Sequence, residues 1–289
     1  MNARGFTIVE LLITMVVMAI LGVALARILI NNSEFVSQQD AMMEAREGAR
    51  SAMNVMSPEL RVIGDGGLIA AQRDSIRARV PYAFGVVCAR VAGTTYATLM
   101  PTDSLIYASA TLDGLVWQTT GGTWSSAPTT GITVSSTALT APCDLPLPSL
   151  DSIRVVVPGG QRIRFGSMSA AQTRPPGTLF YLYQNVTYRF RPSVDLPGRR
   201  GLWRRAGAAA YEELVAPFDT SARFAFLMGP SMTVDTRTNF TNPNVQLRLD
   251  SIRGLELRLV AASQYVPQGK AGYQNFDLRT GVLFLNRMP

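Results

Sequence analysis

The stretch that decides the fold lies at the start of the chain and reads Arg4-Gly5-Phe6-Thr7-Ile8-Val9-Glu10-Leu11-Leu12-Ile13. Residues 6–26 contain a single charged side chain, that of Glu10. At about 1.5 Å per residue, a helix of this length measures roughly 30 Å, which is enough to cross the hydrocarbon core of a bilayer. A carboxylate inside such a run is costly, so Glu10 needs a specific explanation.

The junction between Gly5 and Phe6 follows Arg4 and precedes Glu10 and the apolar run. This arrangement resembles the processing site of type IV prepilins. The resemblance implies that a prepilin peptidase removes the leader at residues 1–5 and methylates the new amino terminus at Phe6. It also implies that Glu10 offsets the terminal amine charge of a neighbouring subunit.

Two other interpretations of the apolar run stay open. A secretory signal peptide has an apolar core followed by a small-x-small cleavage site, which Ala24-Leu25-Ala26 could supply. A plain membrane anchor would also be apolar and of about this length. Both interpretations leave Glu10 unexplained, so the prepilin interpretation is preferred.

The helical pattern continues beyond the membrane run. Apolar side chains recur at spacings of three, four and seven, as on one face of an amphipathic helix, at Phe35, Met42, Ala45, Ala49, Ala52, Met56, Leu60 and Ile63. Ser57-Pro58-Glu59 predicts a kink or a helix restart, and the Gly-Asp-Gly-Gly sequence at 64–67 predicts the helix end. We expect a membrane-spanning half at 6–30 and an amphipathic half at 31–63 that packs against a globular domain.

From residue 68 onward, short segments between turn residues predict strands. The predicted strands cover residues 74–80, 84–92, 94–99, 104–110, 130–136, 151–157, 161–166, 178–183, 185–191, 201–205, 222–228, 252–261 and 276–286. Segments 111–150 and 229–247 are rich in Thr, Ser, Gly, Pro and Asn and are predicted to be long loops. The fold class is therefore α+β, with a long N-terminal helix followed by an antiparallel β-rich domain at 64–289.

A second resemblance covers about residues 150–262. A strand at 186–190, a Gly-Leu-Trp-Arg-Arg strand at 201–205 and a Glu-Leu-Val link at 213–218 follow one another. This succession is similar to the J-type minor pseudopilins of type II secretion and to the W-type minor pilins. The stretch 68–148 departs from the pattern as a long insertion, which favours a W-type pilin. The resemblance implies a structural subunit near a filament tip that helps to start assembly.

The composition argues against an enzyme. The chain contains no histidine, which excludes Ser-His and Cys-His nucleophile systems and removes the commonest metal ligand. The sequence has no phosphate-binding loop, and no Asp-x-Asp-x-Asp loop supports calcium binding. No catalytic residue, cofactor or metal site is therefore predicted.

The globular part carries the positive charge. Residues 65–289 contain 22 basic and 14 acidic side chains in a chain whose net charge is +7. Six arginines with nearby aromatic residues form a candidate binding patch: Arg189, Arg191, Arg199, Arg200, Arg204 and Arg205. Such a patch suits nucleic acid or an acidic neighbouring subunit, unless arginines and aromatic rings are simply the two faces of one strand. A pilus-associated module for DNA uptake or adhesion is accordingly the alternative function.

Cys88 and Cys143 are the only cysteines, and both lie in the part expected outside the cytoplasm, where disulfides persist. The sequence leaves a bridge and two free thiols as alternatives. We expect a single-pass inner-membrane protein with a periplasmic domain that later joins a filament. The expected partners are the membrane, the prepilin peptidase, other major and minor pilins or pseudopilins, and the inner-membrane assembly platform.

Overall fold

The computed structural model describes residues 7–64, 66–91, 94–101, 112–119, 124–128, 133–136, 143, 161–166, 175–236, 240 and 249–284. The strands predicted at 104–110 and 151–157 lie outside these residues, as do Gly5 and Phe6. The described residues form one long helix followed by a large antiparallel sheet, which confirms the α+β prediction.

Helix α1 covers Ile8–Arg61 without interruption, so its 54 residues measure about 80 Å. The restart predicted at Ser57-Pro58-Glu59 is wrong, because Pro58 lies inside the helix. Proline removes the backbone hydrogen bond from residue 58 to the carbonyl of Asn54, but only three helical residues follow it, so little of the helix depends on that bond. Met56 and Leu60, on either side of it, are buried against the sheet and hold this turn in place.

The buried face of α1 is a seam of small side chains followed by larger ones. It consists of Ala41, Ala45, Ala49, Ala52, Met56 and Leu60, which recur every three or four residues. The predicted apolar stripe is therefore confirmed from Ala45 onward. It is wrong at Phe35, whose side chain is 58% exposed because the buried seam begins only at Ala41.

The strands follow in chain order. They are Leu68–Gln72 (β1), Ser75–Val91 (β2), Thr94–Leu99 (β3), Gly114–Gln118 (β4), Trp124–Pro128 (β5), Thr133–Ser136 (β6), Arg162–Gly166 (β7), Leu179–Pro192 (β8), Arg200–Ala206 (β9), Glu212–Phe218 (β10), Arg223–Met228 (β11), Thr233–Asp235 (β12), Ile252–Ala262 (β13) and Asn275–Leu283 (β14).

All of these strands belong to one antiparallel sheet. The main path runs β12-β11-β13-β10-β9-β8-β2-β3-β7-β6. Strand β1 pairs with β2, β14 pairs with β13, and β4 lies between β5 and β8. Helix α1 packs across β13, β14, β10 and β2, so the C-terminal strands form most of its binding surface.

The sheet contains strands where the sequence predicts loops. Strands β4 and β5 lie within 111–150, and β12 lies within 229–247, whereas β6 lies within the strand predicted at 130–136. Leu115 and Trp117 of β4 pack into one apolar cluster, whereas Val116 packs with Tyr181 and Tyr183 on the other face. A strand that is apolar on both faces lacks the alternation by which strands are recognised.

Two apolar cores share the long strands β2 and β8. The first lies between α1 and the sheet, and the second joins β3, β4 and β7 to the ends of β2 and β8. The sequence predicts two strands each in place of β2 and β8, with breaks at 81–83 and at Gln184. The stretch 68–148 therefore contributes strands to the same sheet as the C-terminal half.

Cys88 of β2 is joined to Cys143 by a disulfide, and their Cα atoms lie 5.1 Å apart. Both residues are fully buried, with Tyr96 of β3 packed against them. The bridge spans 55 positions, so it ties a distant part of the chain to β2. Closing a loop of this length removes conformations mainly from the unfolded chain.

Candidate functional site

The start of α1 is capped by Thr7. The backbone at Thr7 is extended, and its side-chain oxygen accepts a hydrogen bond of 3.3 Å from the amide of Glu10. Thr7 and Glu10 have the spacing of a capping box, which is a sequence signal for the start of a helix. The prepilin interpretation of Glu10 did not use this signal. An acidic residue in the first turn also interacts favourably with the positive end of the helix.

The carboxylate of Glu10 has no hydrogen-bond or ion-pair partner among the described residues, and the side chain is exposed. A shorter polar residue at position 10 would be as compatible with the helix cap as Glu10 is. The capping geometry therefore explains why an acid is tolerated here without explaining what its charge binds.

Residues 8–30 of α1 leave their apolar side chains uncovered. No residue in this segment is buried, and the large apolar side chains are between 48% and 80% exposed. Soluble proteins do not leave so long an apolar surface in water. The segment is long and apolar enough to cross a membrane.

The six arginines of the candidate patch do not form one surface. Arg204 points toward α1, where its guanidinium group binds the carboxylate of Glu59 with nitrogen–oxygen distances of 2.7 and 3.3 Å. The hydroxyl of Tyr188 donates a 2.6 Å hydrogen bond to the same carboxylate. Burial, with the nearby Glu59 charge, raises the pKa of Tyr188, so the hydroxyl stays protonated and keeps donating.

Arg199 and Arg200, at the start of β9, bind other parts of the same domain. Arg199 donates a hydrogen bond to the carbonyl of Ser263 and stacks on the ring of Tyr273, 3.6 Å from its centroid. Arg200 donates to the carbonyls of Thr220 and Phe190. These contacts join neighbouring loops and strands, so the two side chains are structural.

The other three arginines lie on the face of the sheet that points away from α1. The side chains of residues paired directly across two strands lie on the same face of the sheet. The pairs on the face away from α1 are Thr187–Arg205, Arg189–Trp203 and Arg191–Gly201. The pairs Arg77–Thr187 and Arg79–Asn185 extend it onto β2. We call this surface the arginine face, and it consists of Arg77, Arg79, Arg189, Arg191 and Arg205.

Aromatic rings accompany the arginine face. The guanidinium carbon of Arg191 lies 3.9 Å from the centroid of Trp203, and that of Arg205 lies 4.7 Å from the centroid of Tyr211. Arg77 and Arg189 are exposed. Sequence reasoning missed Arg77 and Arg79, although both alternate with Ile76, Ala78 and Val80, which is the pattern of a half-buried strand.

The described residues contain no group of three His, Cys, Asp or Glu side chains that could hold a metal ion. Asp113 and Glu213 accept hydrogen bonds from backbone amides, and Glu59 binds Arg204 and Tyr188.

The N-terminal segment of this chain matches a known sequence motif. Residues 1–26 match the prokaryotic N-terminal methylation motif. The match includes the Gly5–Phe6 junction, the cap at Thr7 and Glu10, and it ends within the exposed apolar segment. No curated protein and no solved structure matches the chain.

We predict that Glu59→Ala lowers the free energy of unfolding of the full-length protein in detergent by about 2 kcal/mol. The substitution leaves the guanidinium of Arg204 and the hydroxyl of Tyr188 without their half-buried acceptor. Chemical denaturation followed by circular dichroism measures the change.

The matched control is Asp277→Ala, which removes the ion pair of 3.0 Å with Arg258 from the more exposed β13–β14 surface. We expect this control to cost no more than about 1 kcal/mol. Equal effects of the two substitutions would show that the contact between Glu59 and Arg204 adds nothing beyond a surface ion pair.

Proposed function

We propose that the chain is a type IV pilin-like protein and, more specifically, a minor pilin or minor pseudopilin, because its first 26 residues match the prokaryotic N-terminal methylation motif. In this role it is a structural subunit, not an enzyme, and it helps to start or cap a type IV pilus or a type II secretion pseudopilus. The prepilin peptidase removes residues 1–5 and methylates Phe6. The apolar helix then holds the subunit in the inner membrane, with the globular domain in the periplasm, until assembly.

The observation that carries the proposal is the uncovered segment 8–30, at whose start the carboxylate of Glu10 has no partner among the described residues. Its 23 residues extend over about 34 Å, which matches the hydrocarbon core of a bilayer. The same surface can be covered by the helices of other subunits once the segment leaves the lipid. One apolar helix thus serves both as membrane anchor and as filament core.

Glu10 acquires a partner in such a helical bundle. A carboxylate in a medium of low dielectric constant is stable only when it is paired. Once the leader and Arg4 are removed, the nearest cation in the sequence of a neighbouring helix is its terminal amine at Phe6. Arg27 lies 17 positions beyond Glu10, or about 26 Å along the helix. Pairing of Glu10 with an amine therefore sets the axial register to about one helical turn.

The globular domain is fixed to the helix that would enter the filament. The alanine seam of α1 packs closely on the sheet, since a Cβ added at Gly48 would meet Ala261 at 3.7 Å. Farther along, Glu59 joins α1 to Arg204 and Tyr188. The position of the domain on a filament would therefore follow from the position of its helix.

The order of strands β8, β9, β10, β11 and β13 supports the likeness to W-type minor pilins and J-type minor pseudopilins. The Gly-Leu-Trp-Arg-Arg segment forms most of β9, and the Glu-Leu-Val segment begins β10 beside it. A place at or near the filament tip is what this likeness implies.

Processing is tested by mass spectrometry of the protein purified from its native membrane. We expect the mature chain to begin at Phe6 and to carry one added methyl group on its terminal amine. A Gly5→Val variant should remain at full length, because the peptidase would no longer accept the junction. A native chain that begins at Met1, or after Ala26, would contradict the proposal.

The role of Glu10 is tested with Glu10→Ala in cells that produce filaments. We expect normal processing and at least a tenfold loss of the subunit from sheared filaments, because a neighbouring terminal amine loses its buried partner. Glu47→Ala serves as the control, since Glu47 is an exposed acid on the same helix. Incorporation of Glu10→Ala at the level of this control would refute the pairing.

The arginine face supports a second candidate function, the binding of DNA by a pilus-associated subunit. Arginines on adjacent strands can follow a phosphate backbone, and the exposed Arg77 and Arg189 are free of the fold contacts that hold Arg199, Arg200 and Arg204. An adhesin that binds another anionic polymer would use the same surface.

We expect the full-length protein in detergent to bind duplex DNA at low salt. The double variant Arg77→Glu and Arg189→Glu should weaken binding at least tenfold and reduce its salt dependence, because phosphate contacts are lost. The double variant Arg50→Glu and Arg61→Glu makes the same change of charge on exposed helix surface and should have little effect. Absence of DNA binding by the wild-type protein at low salt would eliminate this function.

A further inference from the structure

The loop between β13 and β14, residues 263–274, runs along α1 toward the apolar segment. The amide of Gln264 donates to the carboxylate of Glu44, and the amide of Gln268 donates to the hydroxyl of Ser37. The hydroxyl of Ser33 donates to the side-chain oxygen of Gln268 at 3.1 Å. The loop therefore descends the helix from the level of Glu44 to the level of Ser33.

This descent ends beside the apolar segment. Ser33 is three positions beyond Ile30, or about 4.5 Å along the helix axis. The headgroup layer adds roughly 5–7 Å to each side of the hydrocarbon core. When residues 8–30 span a bilayer, Gln268 is consequently placed at the depth of the headgroups.

Gly269 lets the loop approach this closely. Its φ is +75°, a conformation that other residues rarely adopt, and a Cβ at this position would lie 2.6 Å from the carboxyl carbon of Glu34. The backbone of the loop is thus held against the helix at the end of the apolar run. Its position follows from specific contacts and not from chance proximity.

The tip of the loop, residues 267–272, presents side chains suited to a membrane surface. All of its residues except Pro267 are exposed. Lys270, the only lysine in the chain, lies in this tip. An ammonium group on a flexible stem binds phosphate as a point charge and can extend along an interface. On the adjacent helix turn Phe35 and Val36 are 58% and 48% exposed, so the same level also offers apolar contact.

We propose that the tip of the β13–β14 loop is a membrane-contact site that rests among phospholipid headgroups, with the amine of Lys270 bound to lipid phosphate. This inference rests on the proposed function, in which residues 8–30 span the membrane. The contact gives the domain a second point of attachment to the bilayer beside the helix itself. It restricts the tilt of the domain while the subunit waits for assembly.

The test uses the full-length protein in nanodiscs of phosphatidylethanolamine and phosphatidylglycerol that contain a headgroup-nitroxide lipid. The two native cysteines are bonded to each other, so single introduced cysteines can carry a fluorophore. Ala271→Cys reports on the loop tip, Ile30→Cys on the end of the apolar segment, and Arg61→Cys on the far end of α1. Arg61 is about 46 Å from Ile30 along the helix.

We expect the nitroxide to quench the labels at Ala271→Cys and Ile30→Cys at least threefold more than the label at Arg61→Cys. Quenching at Ile30→Cys without quenching at Ala271→Cys would overturn the loop contact and leave the membrane-spanning helix intact. Absence of quenching at both positions would overturn the loop contact together with the proposed membrane placement.

The binding of Lys270 to lipid phosphate is tested in the Ala271→Cys background. Lys270→Glu should reduce quenching at least twofold, whereas Lys270→Arg should retain it, because the positive charge remains. The matched charge change Arg61→Glu should leave quenching unchanged. Equal quenching in Lys270→Glu and Lys270→Arg would overturn the assignment of Lys270 to lipid phosphate.

Discussion

The packing of the alanine seam of α1 against the sheet is the contact on which the rest of the structure depends. Four alanines from Ala41 to Ala52 bring the helix axis close to β13 and β14, and Met56 and Leu60 extend the contact into the first core. Polar contacts also join this helix of 54 residues to the domain: Glu59 binds Arg204 and Tyr188, and the β13–β14 loop bonds to Ser33, Ser37 and Glu44. The seam occupies its second half alone, and this division leaves residues 8–30 available to lipid or to neighbouring helices.

The sequence predicted this division because the two halves differ in kind. An unbroken apolar run and a period of three to four residues are strong local signals, and so is the alternation in β13. The exact start of the seam could not be predicted, since it depends on how far the sheet reaches along the helix. Strand β4 was missed because it is buried on both faces, and β10 because Pro217 is atypical of a strand.

The arginines show that composition does not predict which charged side chains are bound within the fold and which face outward. Arg204 and Arg205 are adjacent in the sequence, yet the pleat of β9 turns one toward Glu59 and the other toward Tyr211. Counting basic residues could not separate a half-buried ion pair from an outward-facing charge. The pairing of β2 with β8 was also needed to bring Arg77 beside Arg189, because these residues are more than a hundred positions apart.

Strands β2 and β8 each extend through both apolar cores, and this continuity has a mechanical consequence. A pull on the second core is transmitted along hydrogen-bonded strands directly to the surface on which α1 rests. Both strands continue from one region to the other, with one shift of register in their pairing between Pro81 and Ala83. A force applied near the disulfide therefore reaches the helix as shear between β2 and β8. An antiparallel strand pair resists shear well when many hydrogen bonds share the force.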